Sequence, residues 1–104
     1  MVVYTFPWPT PEFTGAFRPV IDSSGALYGV TNGGGANNLG SVYRLVPSNG
    51  NWIFTDLHDF GSSSNDDDGC YPRGPVALDA AGNIYGATQS CGANDDGDIF
   101  EVTP

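Results

Sequence analysis

Short apolar stretches separated by polar, Gly-rich turns run the length of the chain. Residues 17–22 and 75–79 are apolar, and each stretch ends at an Asp, Asp22 or Asp79. The Asp-x-x-Gly steps that follow, to Gly25 and Gly82, predict tight turns. There the Asp side chain can accept from backbone N–H groups, and Gly tolerates positive φ. Second strands are expected over 26–31 and 83–88, and third strands over 41–46 and 98–103. Within 41–46, Val42, Arg44 and Val46 alternate with Tyr43 and Leu45. Ser48-Asn49-Gly50-Asn51 is a hairpin signal. A fourth strand, 52–60, places Trp52, Phe54, Asp56, His58 and Phe60 on one side and Ile53, Thr55, Leu57 and Asp59 on the other. No segment has helical periodicity.

The pattern occurs twice. Asp22-Ser23-Ser24-Gly25-Ala26-Leu27-Tyr28-Gly29-Val30-Thr31 aligns with Asp79-Ala80-Ala81-Gly82-Asn83-Ile84-Tyr85-Gly86-Ala87-Thr88 at an offset of 57. The register holds without a gap to Pro47 and Pro104, with 10 of 26 positions identical. Four antiparallel strands per repeat is the pattern of a β-propeller blade. Repeat 1 spans about 17–60 and repeat 2 about 75–104. Repeat 2 stops after its third strand, and the N-terminal stretch 2–6 fits the missing fourth. There Val3-Tyr4-Thr5-Phe6 parallels Leu57-His58-Asp59-Phe60. The fold class expected over 1–104 is therefore all-β, a single two-blade propeller unit closed by its N-terminal strand. Closure within the chain's own ring or with a neighbouring chain hides edge strands. Two blades cannot close a ring of roughly 4–8. Either the chain is a piece of a longer array or several copies complete the ring. A homotrimer giving about six blades is favoured, with a tetramer giving about eight second. Blade-on-blade burial is expected for Leu27, Tyr28, Val42, Tyr43, Phe54, Ile84, Tyr85, Ile99 and Phe100.

The unit Asp-x-x-Gly-x-[Leu/Ile]-Tyr-Gly-x-Thr, then Gly-Ala-Asn, then Gly-x-[Val/Ile]-[Tyr/Phe] leading to Pro47 or Pro104 resembles the GloVer-type tandem repeats of bacterial proteins. Gly25–Thr31, Gly34–Asn37 and Gly40–Pro47 bear it, as do Gly82–Thr88, Gly92–Asn94 and Gly97–Pro104. The connector Phe60-Gly61 and Asp68-Gly69 to Pro72 also fits. Such proteins are large, repetitive and mostly secreted or surface-anchored, with varied choice of anchor. The resemblance implies a propeller-like fold and an extracellular or cell-surface setting in a bacterium. It supplies no catalytic residues.

Charge narrows the partners. Three Arg and no Lys stand against 12 acidic residues, for a net charge of −9. Nucleic-acid binding needs clustered Lys and Arg, so it is not expected, nor is an anionic membrane surface. No apolar run is long enough for a transmembrane helix. Met1–Phe6 has no basic n-region, so no intact signal peptide is expected there.

Several residues invite chemistry. Asp66, Asp67 and Asp68, and Asp95, Asp96 and Asp98, form Asp-rich loops whose oxygens suit Ca²⁺. Plain turn-forming is the preferred reading of the same residues. Trp8, Trp52, Tyr71, Asn37 and Asn94 offer stacking faces and amides for a glycan. Trp8 stands out in the Pro-rich stretch Phe6–Pro11, although it can equally cover a blade edge. Tyr28 and Tyr85 read as packing residues. His58, the only histidine, matches Tyr4 in the repeat and reads as strand surface or blade interface. Asn32-Gly33-Gly34-Gly35 is no phosphate loop, because no helix and no Lys follow. Cys70 and Cys91 flank the outer ends of a predicted hairpin, and a disulfide is preferred to free thiols. Closing a loop of about 20 residues stabilises by about 3 kcal/mol.

The expected function is a non-catalytic extracellular binding or scaffold module assembled into a ring, with a glycan as ligand. The alternatives are a metal-dependent propeller enzyme of the lactonase or lyase type, with a cation held on the ring axis, and a ligand-free structural repeat.

Overall fold

The computed structural model describes residue 2 and residues 18–37, 39–61, 69–91 and 97–104. It contains two antiparallel sheets, with no helix among the described residues. The first has the order β1 (Val20–Ile21), β2 (Leu27–Thr31), β3 (Ser41–Ser48), β4 (Asn51–Asp59). The second is β5 (Cys70–Leu78), β6 (Ile84–Ser90), β7 (Ile99–Val102). Neither closes into a barrel.

The turns follow from the residues that make them. Asn49 (φ 52°) and Gly50 (φ 83°) join β3 to β4 across the Ser48–Asn51 pair. Positive φ at both central positions is the hairpin turn that matches strand twist. The two Asp-x-x-Gly turns are built alike. Gly25 N donates to Asp22 O at 3.1 Å, and Gly82 N to Asp79 O at 3.1 Å. Both glycines have φ near 90°, at 92° and 88°.

The sequence reading needs four corrections. First, β1 is only Val20–Ile21, shorter than 17–22. Second, β5 begins at Cys70, not at 75. Gly74 (φ 77°) sits in an irregularity between Arg73 and Ala77, so the ladder resumes on its far side. Third, the strict alternation of 52–60 breaks. Tyr43 pairs with Asp56 but Val42 pairs with His58, so Leu57 is an extra residue in β4. A bulge of this kind shifts the facing of everything beyond it. His58 therefore faces with Val42, while Asp56 faces with Tyr43. Fourth, Ile99 is 80% exposed rather than buried, and Leu27, Phe54, Tyr85 and Phe100 are only half-buried. Val2 is exposed and outside any strand. Residues 3–6 lie outside the described residues, and with them most of the expected closing strand.

The sheets stack through one core. Tyr28, Val30 and Val42 of the first sheet meet Val76 and Ile84 of the second, with Leu78, Phe100 and Val102 packed around them. Phe60 is 1% exposed and packs edge-on to Phe100, ring centres 5.2 Å apart. The stacking is head-to-tail in the repeat. The first sheet contributes the face of Tyr28, Val30 and Val42. The second contributes Ile84, Gly86, Phe100 and Val102, which match Leu27, Gly29, Tyr43 and Leu45 on the opposite face of the first.

One cross-strand device recurs in both sheets. Gly29 pairs with Tyr43, and Gly86 with Phe100. A methyl on Gly29 would lie 2.5 Å from the Tyr43 hydroxyl, and one on Gly86 2.5 Å from the Phe100 ring. Each aromatic ring thus lies across the bare glycine of its neighbour, filling the space that a side chain would take.

Candidate functional site

At one end of the strands the two Asp turns sit side by side. They border a groove of about 430 Å³ that also touches Ile21, Tyr28 and Leu78. The Asp22 carboxylate accepts four hydrogen bonds. Oδ1 accepts from Ser24 N (2.8 Å), Ser24 Oγ (2.6 Å) and Ala26 N (3.0 Å), and Oδ2 from Tyr28 Oη (3.1 Å). Asp79 repeats this with Ala81 N, Asn83 N, Asn83 Nδ2 and Tyr85 Oη. These bonds hold both acids below the usual carboxylate range, led by the Ser24 side chain at Asp22 and the Asn83 side chain at Asp79. The single Tyr85 hydroxyl proton is shared between Asp79 and Glu101, whose oxygen lies 3.1 Å away, and these two acidic partners, Asp79 first, push the phenol up to about 12. This end is turn chemistry, in which both carboxylates are spent mainly on their own turns. The tyrosine six residues after each Asp completes the bracket. That role was missed in the sequence, although the Asp-to-Tyr spacing occurs in both repeats.

At the opposite end, Asn32 follows β2 while Cys70 opens β5 and Ser90 closes β6. Cys70 and Cys91 form a disulfide, with Cα atoms 5.5 Å apart. Beside it Asn32, Tyr71, Gln89 and Ser90 line a groove of about 260 Å³. Two non-glycine residues flank this groove in the left-handed region, Tyr71 at φ 57° and Cys91 at φ 65°. Such backbone costs about 1–2 kcal/mol per residue. Cys91 occupies the repeat position of Gly34, which has φ 77°. Tyr71 N donates to Leu39 O at 2.7 Å, and Asn32 Nδ2 to Pro72 O at 3.2 Å. Asn32 and Gln89 are repeat equivalents, so one groove receives an amide from each repeat. This convergence was not legible in the sequence, because it needs the stacking of the two sheets.

A third cluster lies at the end of β4. The bulge puts Asp56 on the same face as Asp59, which pairs with Ser41. Burial first, then the hydrogen bond and charge of Asp59, push the Asp56 carboxyl up to about 7. Oδ1 of Asp59 is buried without a hydrogen bond among the described residues. Next to it the Thr31 and Ser41 hydroxyls bond each other at 2.8 Å. His58 turns the other way, into a crevice with Phe60, Phe100 and Glu101. Its ring packs edge-on to Phe60 at 4.7 Å.

The remaining sequence candidates are scattered. Trp52 pairs with Pro47 near the β3–β4 hairpin, far along the strands from Tyr71. Asn37 is exposed, and its Nδ2 donates to Phe60 O at 3.2 Å. Asp98 is half-buried; its N donates to Thr88 Oγ1 (2.8 Å) and its carbonyl accepts from Thr88 N (2.8 Å). Trp8, Asn94, Asp66, Asp67, Asp68, Asp95 and Asp96 lie outside the described residues. Among the described residues, no group of three or more His, Cys, Asp or Glu is placed to hold a metal ion.

The family model described as the Gloeobacter/Verrucomicrobia repeat matches residues 2–104. This is the family that the repeated motif resembles. No curated protein and no solved structure matches the chain.

Proposed function

We infer that this chain, which belongs to the Gloeobacter/Verrucomicrobia repeat family, is a two-blade unit of a β-propeller that works outside the cell as a non-catalytic binding and scaffold module. Copies close a ring, with the 2–6 strand of each completing a neighbour's second blade. The ligand of such a module is a glycan.

The observation that supports this reading is the head-to-tail stacking. In the first sheet, Tyr28, Val30 and Val42 are buried by the second sheet. Their counterparts one repeat on are Tyr85, Ala87 and Ile99. Ala87 and Ile99 are exposed. The operation that lays the second sheet on the first would lay a third on this face, provided that the Tyr43–Leu45 face of the incoming first sheet, buried within its own chain at 3% and 4% exposure, is uncovered. Heterologous contacts of that kind generate rings when the rotation closes. The disulfide suits an oxidising compartment.

Native mass spectrometry and light scattering test the reading. A discrete mass of three or four copies supports it. A folded chain that stays monomeric at every concentration overturns the ring. Removing residues 1–6 should lower the mass, and a truncated protein that keeps its oligomeric mass and solubility would sink the strand exchange. Ile99→Arg should weaken assembly while leaving the single chain folded.

A further inference from the structure

We propose that the groove beside the disulfide is a subsite for one neutral pyranose unit, with Tyr71 as its stacking platform and the amides of Asn32 and Gln89 as its hydroxyl readers. This rests on reading the chain as a binding module, and it names the place and the class of ligand.

The chemistry of the lining selects the ligand. Asn32, Tyr71, Gln89 and Ser90 contribute two amides, a phenol and a hydroxyl, and none of these described lining residues is charged. Each amide both donates and accepts, as a sugar hydroxyl does. An aromatic face beside such groups suits the C–H face of a pyranose ring. The volume of about 260 Å³ lies below the range usual for drug-sized ligands and fits one small ring.

The backbone supports the same reading. Tyr71 holds a conformation that glycine adopts more readily, with φ 57°. A non-glycine residue in that region at a groove wall points to function. Its neighbour Cys70 is 1% exposed and covalently tied to Cys91, next to Ser90. The Tyr71–Leu39 and Asn32–Pro72 bonds fix the other side of the groove. Walls held this way lose little freedom on binding, which favours affinity. Because Asn32 and Gln89 are repeat equivalents, each junction between successive sheets would bring two amides to the same end.

The test is a titration of the whole, ¹⁵N-labelled chain with glucose, galactose, mannose and N-acetylglucosamine, and with glucuronic acid as the charged counterpart. At millimolar concentration a neutral sugar should shift the backbone resonances of Tyr71, Gln89 and Ser90 and the side-chain NH₂ signals of Asn32 and Gln89. Gln89→Ala and Tyr71→Ala should each weaken binding by about tenfold or more, the equivalent of about 1.4 kcal/mol. Tyr71→Gly should abolish binding while raising Tm, because glycine relieves the left-handed backbone. If no neutral sugar moves these signals, or if glucuronic acid binds more tightly, the proposal is wrong. A Tyr71→Gly protein that melts lower and binds as before would also overturn it. A ring that forms but takes no sugar overturns this subsite alone. Sugar binding by a chain that never assembles upholds the subsite and overturns the ring.

Discussion

Gly86→Ala should destabilise the protein, although alanine is ordinarily the better residue in a strand. The backbone at Gly86 is not left-handed, so alanine meets no conformational obstacle there. On intrinsic grounds the change would gain about 0.5–1 kcal/mol. The added Cβ, however, would lie 2.5, 2.8 and 3.3 Å from three carbons of the Phe100 ring. Ordinary carbon contacts begin near ~3.5 Å. Phe100 cannot retreat freely, because Phe60 lies edge-on to it at 5.2 Å and is itself fully buried. Overpacking of this kind costs about 1–3 kcal/mol, which leaves a net loss of about 0–2.5 kcal/mol with its middle near about 1 kcal/mol. For a chain of this size a loss of about 1 kcal/mol is a fall in Tm of roughly 4–8 °C. Thermal unfolding followed by circular dichroism reads it directly. Phe100→Leu on top of Gly86→Ala should recover part of the loss, a coupling of about 1 kcal/mol in a double-mutant cycle. Gly29→Ala, beneath Tyr43, should behave alike. A Gly86→Ala protein as stable as the parent would refute the idea that the ring fills the glycine's place.

The other predictions concern the disulfide and the acids. Removing Cys70 and Cys91 as a pair of alanines should cost about 3 kcal/mol in denaturant unfolding, and a Cys70→Ala/Cys91→Gly protein should lose about 1 kcal/mol less because position 91 is left-handed. The Asp56 carboxyl, raised to about 7, holds its proton in the folded chain where the unfolded chain has lost it. Its contribution therefore falls away as pH rises from about 4 to about 7, and Asp56→Asn should stabilise the fold at pH 8 but not at pH 4, by roughly 1 kcal/mol after solvent screening of a carboxyl that is only partly shielded from water. Asp22 and Asp79 have the opposite sign, since their lowered carboxyls support the turns above the normal carboxylate range and lose that support on acidification. Asp79→Asn should flatten the acid limb of a Tm-against-pH curve.

The strands were legible because each repeat states its pattern twice. Asp-x-x-Gly and Asn-Gly fix their turns through local backbone chemistry, which needs no tertiary context. The bulge in β4 was not legible, because nothing in Phe54–His58 marks one extra residue; it emerges only from the pairing with Val42 and Tyr43. Gly74-Pro75 reads as a break and points to a strand starting at 75, whereas Gly74 absorbs the irregularity and the ladder continues to Cys70. Apolarity and the repeat match to Val42 point Ile99 to the core, yet it is exposed. Which face a strand buries depends on the side from which the other sheet approaches, and periodicity does not encode that. Residue type alone groups the aromatic and amide candidates, whereas Trp52 lies far along the strands from Tyr71. The groove at Tyr71 gathers Asn32 and Gln89, which no local spacing relates.

Head-to-tail stacking has a consequence for how growth stops. If copies stack as proposed, a contact between two different faces leaves one face of each kind over at the ends of the series, so affinity alone would not end it. What ends it is angular arithmetic: the turn from one sheet to the next must divide a full circle. Where it does, the last unit meets the first and both free faces vanish together. Where it misses, each added copy climbs along an axis, and the same contact winds an open thread. In the proposed assembly that angle would follow from the packing between sheets at Phe60, Phe100 and Ile84, so a core substitution far from any exposed surface would decide between a closed ring and a fibre.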